Sequence, residues 1–252
     1  MHQTRGDFKP NPDETLDGLA CGNLYVLQKK KGYRFSVDAY LLAAFVDVPP
    51  GTKVLEIGAG SGVISILLAG IKGLTVTGVE VQNEMATMSR RSVMLNGLED
   101  QIKIIEADIN SFKEKGFDAV VTNPPYRPVF TGRIPPDKNK AIAKHEVLLD
   151  LDALLKQSYS ALNPTGHFYI IYPVWRMGDL IYSMRAHKIE PKKILAVYSR
   201  NTEYAELCLV KGIKGGGKEL FFGPPFSIYG KTNKYTKKME HVFKKLSISE
   251  NH

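Results

Sequence analysis

The sequence predicts a doubly wound α/β fold in which helices cover both faces of a mostly parallel sheet. Short β-branched runs alternate with amphipathic segments of helix length, which is the pattern of repeated βαβ units. A glycine-rich turn at residues 58–62 follows the first run of this series. Open α/β sheets bind ligands at the carboxyl ends of their strands, so we expect a site at that edge.

The predicted strands and helices follow one another in regular order. The strand-like runs are KVLEI, LTVTGVE, IKIIE, DAVVT and HFYIIY, at residues 53–57, 74–80, 102–106, 118–122 and 167–172. The amphipathic segments lie at residues 62–71, 82–96 and 147–162. Each of these segments is long enough to form the crossover between two parallel strands.

Further elements are predicted on both sides of this series. A helix near residues 176–187 precedes strand-like runs at 193–199 and 206–211, and the short loop between the two runs predicts an antiparallel pair. Ahead of the first strand, Ser36 is a good N-cap for a helix that ends by Pro49.

The chain divides into three parts within one structural domain. Residues 1–50 form an N-terminal extension with a helical cap, residues 51–211 the main domain, and residues 212–252 a basic C-terminal extension. Gly215–Gly217 is interpreted as a flexible joint. The lysines and aromatics beyond it fit either an RNA contact or a solvated hairpin and helix.

Composition and charge narrow the classes of partner. The formal net charge of +8 and the pI near 9.3 favour a polyanion such as nucleic acid. Cys21 and Cys208 lack the spacing of a disulfide framework or a zinc site, so we expect a cytoplasmic protein without a metal. The longest apolar stretch, 63–71, is too short to span a bilayer.

The turn after the first strand has the features of a nucleotide-cofactor loop. Gly58, Gly60 and Gly62 permit a tight turn and close approach of a ligand to the backbone, and Glu56 precedes them. The dinucleotide pattern GxGxxG requires a third glycine where this chain has Val63, which argues against NAD. The cofactor is therefore expected to be of another kind.

A second motif, Asn123-Pro124-Pro125-Tyr126, follows the strand-like run at 118–122. Two prolines stiffen the loop, so that the Asn123 side-chain oxygen and the Pro124 carbonyl can accept both hydrogens of one amino group. This polarisation localises the nitrogen lone pair and makes the nitrogen a better nucleophile. Tyr126 is placed to stack on a planar substrate.

The two motifs resemble those of class I S-adenosylmethionine-dependent methyltransferases, which have a Rossmann-like fold. In that family the glycine loop wraps the methionine part of the cofactor, and NPPY occurs in enzymes that methylate adenine, guanine or a release-factor glutamine. The carboxylate of Glu80, at a strand end, can accept the ribose hydroxyls. The resemblance further assigns Asp108, with Ile109, to the adenine of the cofactor, and it places Glu56 and Asn123 among the cofactor-binding residues.

A narrower resemblance covers roughly residues 13–211. The runs at 13–17 and 28–38, together with His145-Glu146, are similar to the bacterial tRNA(Val) adenine N6-methyltransferase family. That family modifies the adenosine just 3′ of the anticodon. The resemblance implies methyl transfer to adenine N6 in tRNA, and a seven-stranded sheet of order 3-2-1-4-5-7-6 with one antiparallel strand.

The same resemblance implies roles for residues outside the two motifs. Arg34 and Phe35, with Ser36 and Asp38, would close the cofactor pocket, although core packing of Phe35 and a surface ion pair of Arg34 are equally open. The long loop at 127–144 would contact the nucleic acid through its basic residues, Arg127, Arg133, Lys138 and Lys140.

Three alternatives remain open at this point. A release-factor glutamine methyltransferase usually carries an N-terminal helical domain. An rRNA guanine N2-methyltransferase more often has phenylalanine at the position of Tyr126 and a duplicated domain. A non-catalytic RNA-binding protein would keep the cofactor pocket but would not turn over substrate. The presence of Asn123 and Glu80 argues against this alternative. As for the oligomeric state, we expect a monomer.

Overall fold

The computed structural model describes residues 9–19, 22–31, 34–125, 151–200, 204–230, 232 and 234–247. Its N-terminal part consists of a hairpin and a helix. The hairpin pairs β1 (Glu14–Gly18) with β2 (Tyr25–Lys29) in antiparallel register. The helix α1 (Val37–Phe45) has Ser36 as its N-cap, as expected, and ends before Pro49. The hairpin was not predicted from the sequence.

The central sheet contains the predicted strands with small changes of length. Its main strands are β3 (Lys53–Ile57), β4 (Thr75–Glu80), β5 (Ile102–Glu106), β6 (Phe117–Thr122), β7 (Leu162–Pro173), β8 (Ile189–Tyr198) and β9 (Leu207–Lys214). They lie in the order β5-β4-β3-β6-β7-β9-β8. β9 runs antiparallel to both of its neighbours, and the other pairs among these strands are parallel. The predicted Rossmann-like topology is confirmed.

Helices cover both faces of this sheet and divide the core into two layers. They are α2 (Val63–Lys72), α3 (Asn83–Leu95), α4 (Leu151–Ala161) and α5 (Met177–Ala186). One layer lies under α1, α2 and α3, and the other under α4 and α5. Because strands buried on both faces lose alternation, the strands read as continuous apolar runs in the sequence.

The C-terminal segment adds to the sheet and covers α1. Two short strands, β10 (Phe221–Phe222) and β11 (Phe226–Ser227), pair parallel with β8. The helix α6 (Lys237–Lys245) starts at the N-cap Thr236, whose hydroxyl accepts the Met239 N–H at 3.2 Å. Its apolar side reaches the core next to α1, where Met239 is fully buried.

The glycine-rich joint at 215–217 is held by hydrogen bonds. The Gly215 N–H donates to the Lys188 carbonyl at 2.8 Å, and the ammonium of Lys192 donates to the Gly217 carbonyl at 2.9 Å. This segment is therefore a hydrogen-bonded turn beside β8, and its flexibility stays a prediction. No helix in the described part of the chain is long and apolar enough to cross a membrane.

Candidate active site

Four of the residues predicted to bind the cofactor or the substrate lie at one edge of the sheet. The strands β5, β4, β3 and β6 are neighbours in that order, and the chain leaves their carboxyl ends at Asp108, Glu80, Gly58 and Asn123. At about 4.8 Å between strands, these positions span about 14 Å. An elongated ligand can therefore lie across the edge and contact successive strand ends.

The glycine loop between β3 and α2 requires glycine for two different reasons. Gly58 has φ +76°, and a Cβ there would meet no described atom within 4 Å, so the loop borders open space. Gly62 has φ +85°, and a Cβ there would come within 2.3 Å of the Ser89 hydroxyl on α3. Gly58 thus leaves room for a ligand, whereas Gly62 permits close packing of the loop on α3.

The Glu80 carboxylate ties the glycine loop to the end of β4. Its Oε2 accepts the Gly60 N–H at 2.8 Å, and its Oε1 accepts the Gln82 N–H at 2.9 Å at the start of α3. Only 6% of the residue is exposed. A carboxylate offers about four acceptor positions, so two remain for hydroxyl groups of a ligand. Glu80 can both shape the loop and bind a ribose.

Glu56 lies behind the glycine loop and bonds to the protein itself. Its carboxyl group is buried and accepts a hydrogen bond from the Ser65 hydroxyl of α2. Burial raises the pKa of Glu56 to about 8, hydrogen bonds from Ser65 oppose the rise, and the Glu80 carboxylate adds to it. Glu56 is therefore largely neutral at pH 7, and its contact with Ser65 joins β3 to α2.

Glu56 is expected to make stability fall as the pH rises. Its pKa is raised on folding, so its favourable contribution is present below the unfolded value of 4.5 and lost as the pH rises through about 8. The loss amounts to roughly 3–5 kcal/mol. In urea unfolding, Glu56→Gln should gain stability relative to the wild type between about pH 5 and pH 8. A difference that stays constant across this range would contradict the assignment.

Asp108 and Ile109 form a turn directly after β5. Asp108 is exposed, and its Oδ1 accepts the Asn110 N–H at 2.8 Å, while Ile109 is buried in the core. The Ala107 N–H donates to the Glu80 carbonyl at 3.0 Å, which holds this turn beside the end of β4. The Asp108 carboxylate is thus fixed at the edge next to Glu80. Its contact with the cofactor adenine stays a prediction.

The Asn123 loop is anchored to the glycine loop through Thr122. The buried Thr122 hydroxyl donates to the Ile57 carbonyl at 3.0 Å, joining the last residues of β6 and β3. Asn123 is partly buried, Pro124 is buried and Pro125 is exposed. Asn123 therefore follows a rigid strand end next to the glycine loop. Such an anchor suits a side chain that has to accept a hydrogen bond from one particular amino group.

The remaining predicted pocket residues lie around α1 and the hairpin. Arg34 donates to the Asp17 carboxylate and to the Thr15 hydroxyl of β1, the latter at 3.0 Å. Phe35 packs on the core next to Tyr40, with ring centroids 5.8 Å apart. Arg34 thus makes the surface ion pair, and Phe35 the core packing, that the sequence left open. A role of Arg34 and Phe35 in the cofactor pocket stays a prediction.

The start of α1 lies near the carboxyl edge of the sheet. The Ser36 hydroxyl accepts the Asp38 N–H at 3.4 Å. Burial raises the pKa of the Asp38 carboxyl, and the nearby Glu206 carboxylate, just before β9, adds to the rise. Because β9 begins at the carboxyl edge, this electrostatic interaction with Glu206 indicates that Asp38 lies toward the same edge as the glycine loop.

Several predicted substrate residues lie outside the described part of the chain. They are Tyr126, the basic residues Arg127, Arg133, Lys138 and Lys140, and the His145-Glu146 pair. Their roles stay predictions.

The structure adds three polar residues that the sequence reasoning missed. Thr122 and Ser65 bond to the motif strands as described above, and Gln28 accepts the Phe35 N–H at 2.8 Å through its side chain. All three are buried. Ser65 lies within an apolar run and Thr122 ends one, which is a signal in the sequence because a buried polar group needs a partner. Gln28 is followed by three lysines and carries no such signal.

An adenosyl cofactor fits these residues. The open space at Gly58, the helix N-terminus at Val63 and the remaining acceptors of Glu80 suit a sugar with a charged amino-acid tail. Together with the strand order, this site defines a class I S-adenosylmethionine-dependent methyltransferase. The chain belongs to the methyltransferase small domain family, whose model matches residues 34–174.

Proteins named tRNA1(Val) (adenine(37)-N6)-methyltransferase are similar to this chain in sequence. The protein of Tolumonas auensis is 25% identical over 204 residues, which cover 73% of this chain and 85% of the relative. The protein of Phocaeicola vulgatus is 33% identical over 142 residues, which cover 56% of this chain and 59% of the relative.

Solved structures share the fold at low sequence identity. A predicted O-methyltransferase of Agrobacterium tumefaciens superimposes with a TM-score of 0.68 at 21% identity, covering 83% of this chain and 97% of that one. A methyltransferase of Pyrococcus furiosus has a TM-score of 0.56 at 17% identity, and the match covers 75% of this chain and 88% of that one. At such identities these likenesses establish the fold alone.

Proposed function

We propose that this protein transfers the methyl group of S-adenosylmethionine to N6 of an adenine in tRNA, at adenosine 37 of tRNA1(Val). The observation that carries the proposal is the link between the Thr122 hydroxyl and the Ile57 carbonyl, which holds the Asn123 loop against the glycine loop. The names of the relatives and the net charge of +8 support tRNA as the acceptor.

In the proposed reaction the protein positions and polarises an amino group. The cofactor supplies a methyl group bonded to a positively charged sulfur. The Asn123 oxygen and the Pro124 carbonyl accept the two N6 hydrogens, which draws the lone pair of the nitrogen out of conjugation with the ring. The rigid backbone of the proline loop fixes the direction of attack. As N6 formed its bond to the methyl carbon, the carbon–sulfur bond would break and leave a neutral thioether, and N6 would release one proton to water.

The cofactor would be held by the edge of the sheet. Gly58 and Gly60 present backbone to the amino-acid tail, Glu80 accepts the ribose hydroxyls, and Asp108 with Ile109 borders the adenine. Glu56 acts through Ser65 as a positioning residue, because its carboxyl contacts α2. The alternatives with guanine or glutamine as acceptor use the same asparagine, and only the acceptor distinguishes them.

The test is methylation of defined acceptors by the purified protein. Labelled S-adenosylmethionine is incubated with a tRNA1(Val) transcript, and nucleosides are identified by mass spectrometry. We expect N6-methyladenosine in this transcript and none in a matched transcript with guanosine at position 37. Label in rRNA as N2-methylguanosine, or in a release factor, would assign the site to one of the alternatives. Transfer to none of these acceptors would overturn the proposal.

A further inference from the structure

Two large aromatic side chains are exposed where the chain passes the carboxyl edge of the sheet. Trp175 is 64% exposed and Tyr204 is 78% exposed. Trp175 follows β7 in a short turn of 3-10 helix at Val174–Arg176, and Tyr204 comes shortly before β9. Exposed aromatic rings at a ligand-binding edge are typical of surfaces that stack on bases.

The backbone holds the two segments side by side. The Val174 N–H donates to the Glu206 carbonyl at 3.0 Å, and the Glu206 N–H donates to the Val197 carbonyl at 3.0 Å. Along the chain, Trp175 directly follows Val174, and Tyr204 lies two residues before Glu206. Both aromatic residues are therefore close to the Val174–Glu206 hydrogen bond. The described fold therefore brings both residues to one part of the rim.

This part of the rim lies beside the candidate active site. Thr122 pairs with Ile170 in the β6-β7 ladder, and β7 continues to Pro173 before it reaches Trp175. Strand and 3-10 geometry place Trp175 about 12 Å from the Asn123 backbone. A neighbouring nucleotide in an extended strand can bridge that distance when the target base occupies the site.

A cation accompanies the exposed rings. The Arg176 guanidinium carbon lies 5.9 Å from the Trp175 ring centroid and 5.5 Å from that of Tyr172. Arg176 also pairs with Asp179 at 3.5 Å, an exposed contact that salt screens readily. A guanidinium on an aromatic face suits a surface that receives both a base and a phosphate.

We propose that Trp175 and Tyr204 form a second stacking surface, which binds an unpaired nucleotide adjacent to the methylated adenosine. The occupant is single-stranded RNA, because ring faces with a nearby guanidinium match stacked bases and a phosphate. The inference rests on the proposed function, in which the target lies in an anticodon loop with unpaired neighbours. The surface selects looped over duplex RNA.

The sequence provides a direct probe, since Trp175 is the only tryptophan of the chain. Titration of the protein with a 17-nucleotide anticodon stem-loop RNA is expected to quench its fluorescence, because bases stacked on indole quench it. A fully paired RNA duplex of about the same length should quench much less. Equal quenching by both RNAs, or by neither, would overturn the inference.

Kinetics of the full-length protein give an independent readout. Trp175→Ala should lower kcat/KM for tRNA about 10- to 100-fold through KM, with the cofactor Kd unchanged, and Trp175→Phe should restore most of it. Tyr204→Ala should have a smaller effect in the same direction. Tyr182→Ala is the matched control, because Tyr182 is 78% exposed on α5, which runs away from this edge.

The outcomes separate this inference from the proposed function. If the wild type methylates tRNA and Trp175→Ala has the wild-type kcat/KM, the stacking surface is wrong and the function stands. If the stem-loop quenches Trp175 but adenosine 37 is not methylated, the function is wrong and the surface stands. Because Trp175 is exposed, its variants should unfold at the same thermal midpoint as the wild type. Measuring this midpoint checks that the variants are folded.

Discussion

Asn123→Ala is expected to lower kcat about 100- to 1000-fold while the cofactor Kd changes less than about threefold. Asn123 supplies the side-chain acceptor for the amino group, and groups that polarise the reacting atom contribute effects of this size. Single-turnover methylation and calorimetric binding of S-adenosylmethionine measure the two quantities separately. Loss of cofactor binding together with activity would show that Asn123 has been assigned the wrong task.

Two further variants sharpen this test. Asn123→Asp keeps an oxygen acceptor of the same shape, so it should retain more activity than the alanine variant. Asn163→Ala serves as the matched control, since Asn163 lies at the opposite edge of the sheet, where its amide donates to Asp118 at 2.8 Å. An equal loss in all three variants would point to a general effect on folding.

Glu80→Ala is expected to have the largest effect on cofactor binding. It removes the acceptor of the Gly60 and Gln82 N–H groups, which costs about 2–4 kcal/mol of stability because both donors lose their partner. It also removes the acceptor for the ribose hydroxyls, so the Kd of S-adenosylmethionine should rise at least about 100-fold. Urea unfolding and calorimetry measure the two effects.

The neighbouring strand offers the control for Glu80. Glu106 ends β5 directly opposite Glu80 in the ladder, but it is exposed and accepts a hydrogen bond from the Asn83 side chain. Glu106→Ala should bind the cofactor nearly as the wild type does. A comparable loss in both variants would mean that the negative potential of the edge matters more than the ribose contact.

The strands and crossover helices were predictable because their sequences carry the signal locally. β3 and β5 were placed to the residue at 53–57 and 102–106, since buried parallel strands are continuous β-branched runs bounded by turns. The glycine loop and the Asn123 loop were predictable because their chemistry needs particular residue types. Their position at one edge follows from the parallel topology.

The N-terminal hairpin was not predictable in the same way. β1 and β2 owe their stability to distant partners, among them Glu14, whose carboxylate accepts from Arg91 of α3 at 2.7 Å. The Asn96 side chain at the end of α3 accepts the Tyr25 N–H at 2.9 Å. Long-range contacts of this kind leave no local pattern in a polar segment such as 13–18.

The C-terminal helix α6 has a consequence for the synthesis of this protein. α6 packs on α1, where the rings of Tyr40 and Phe243 meet at 5.2 Å, although roughly 200 residues separate them along the chain. Translation at about 5–20 residues per second leaves the Tyr40 side of α1 uncovered for roughly 10–40 s. During that interval the nascent chain exposes an apolar surface, which is covered only after Phe243 has been synthesised.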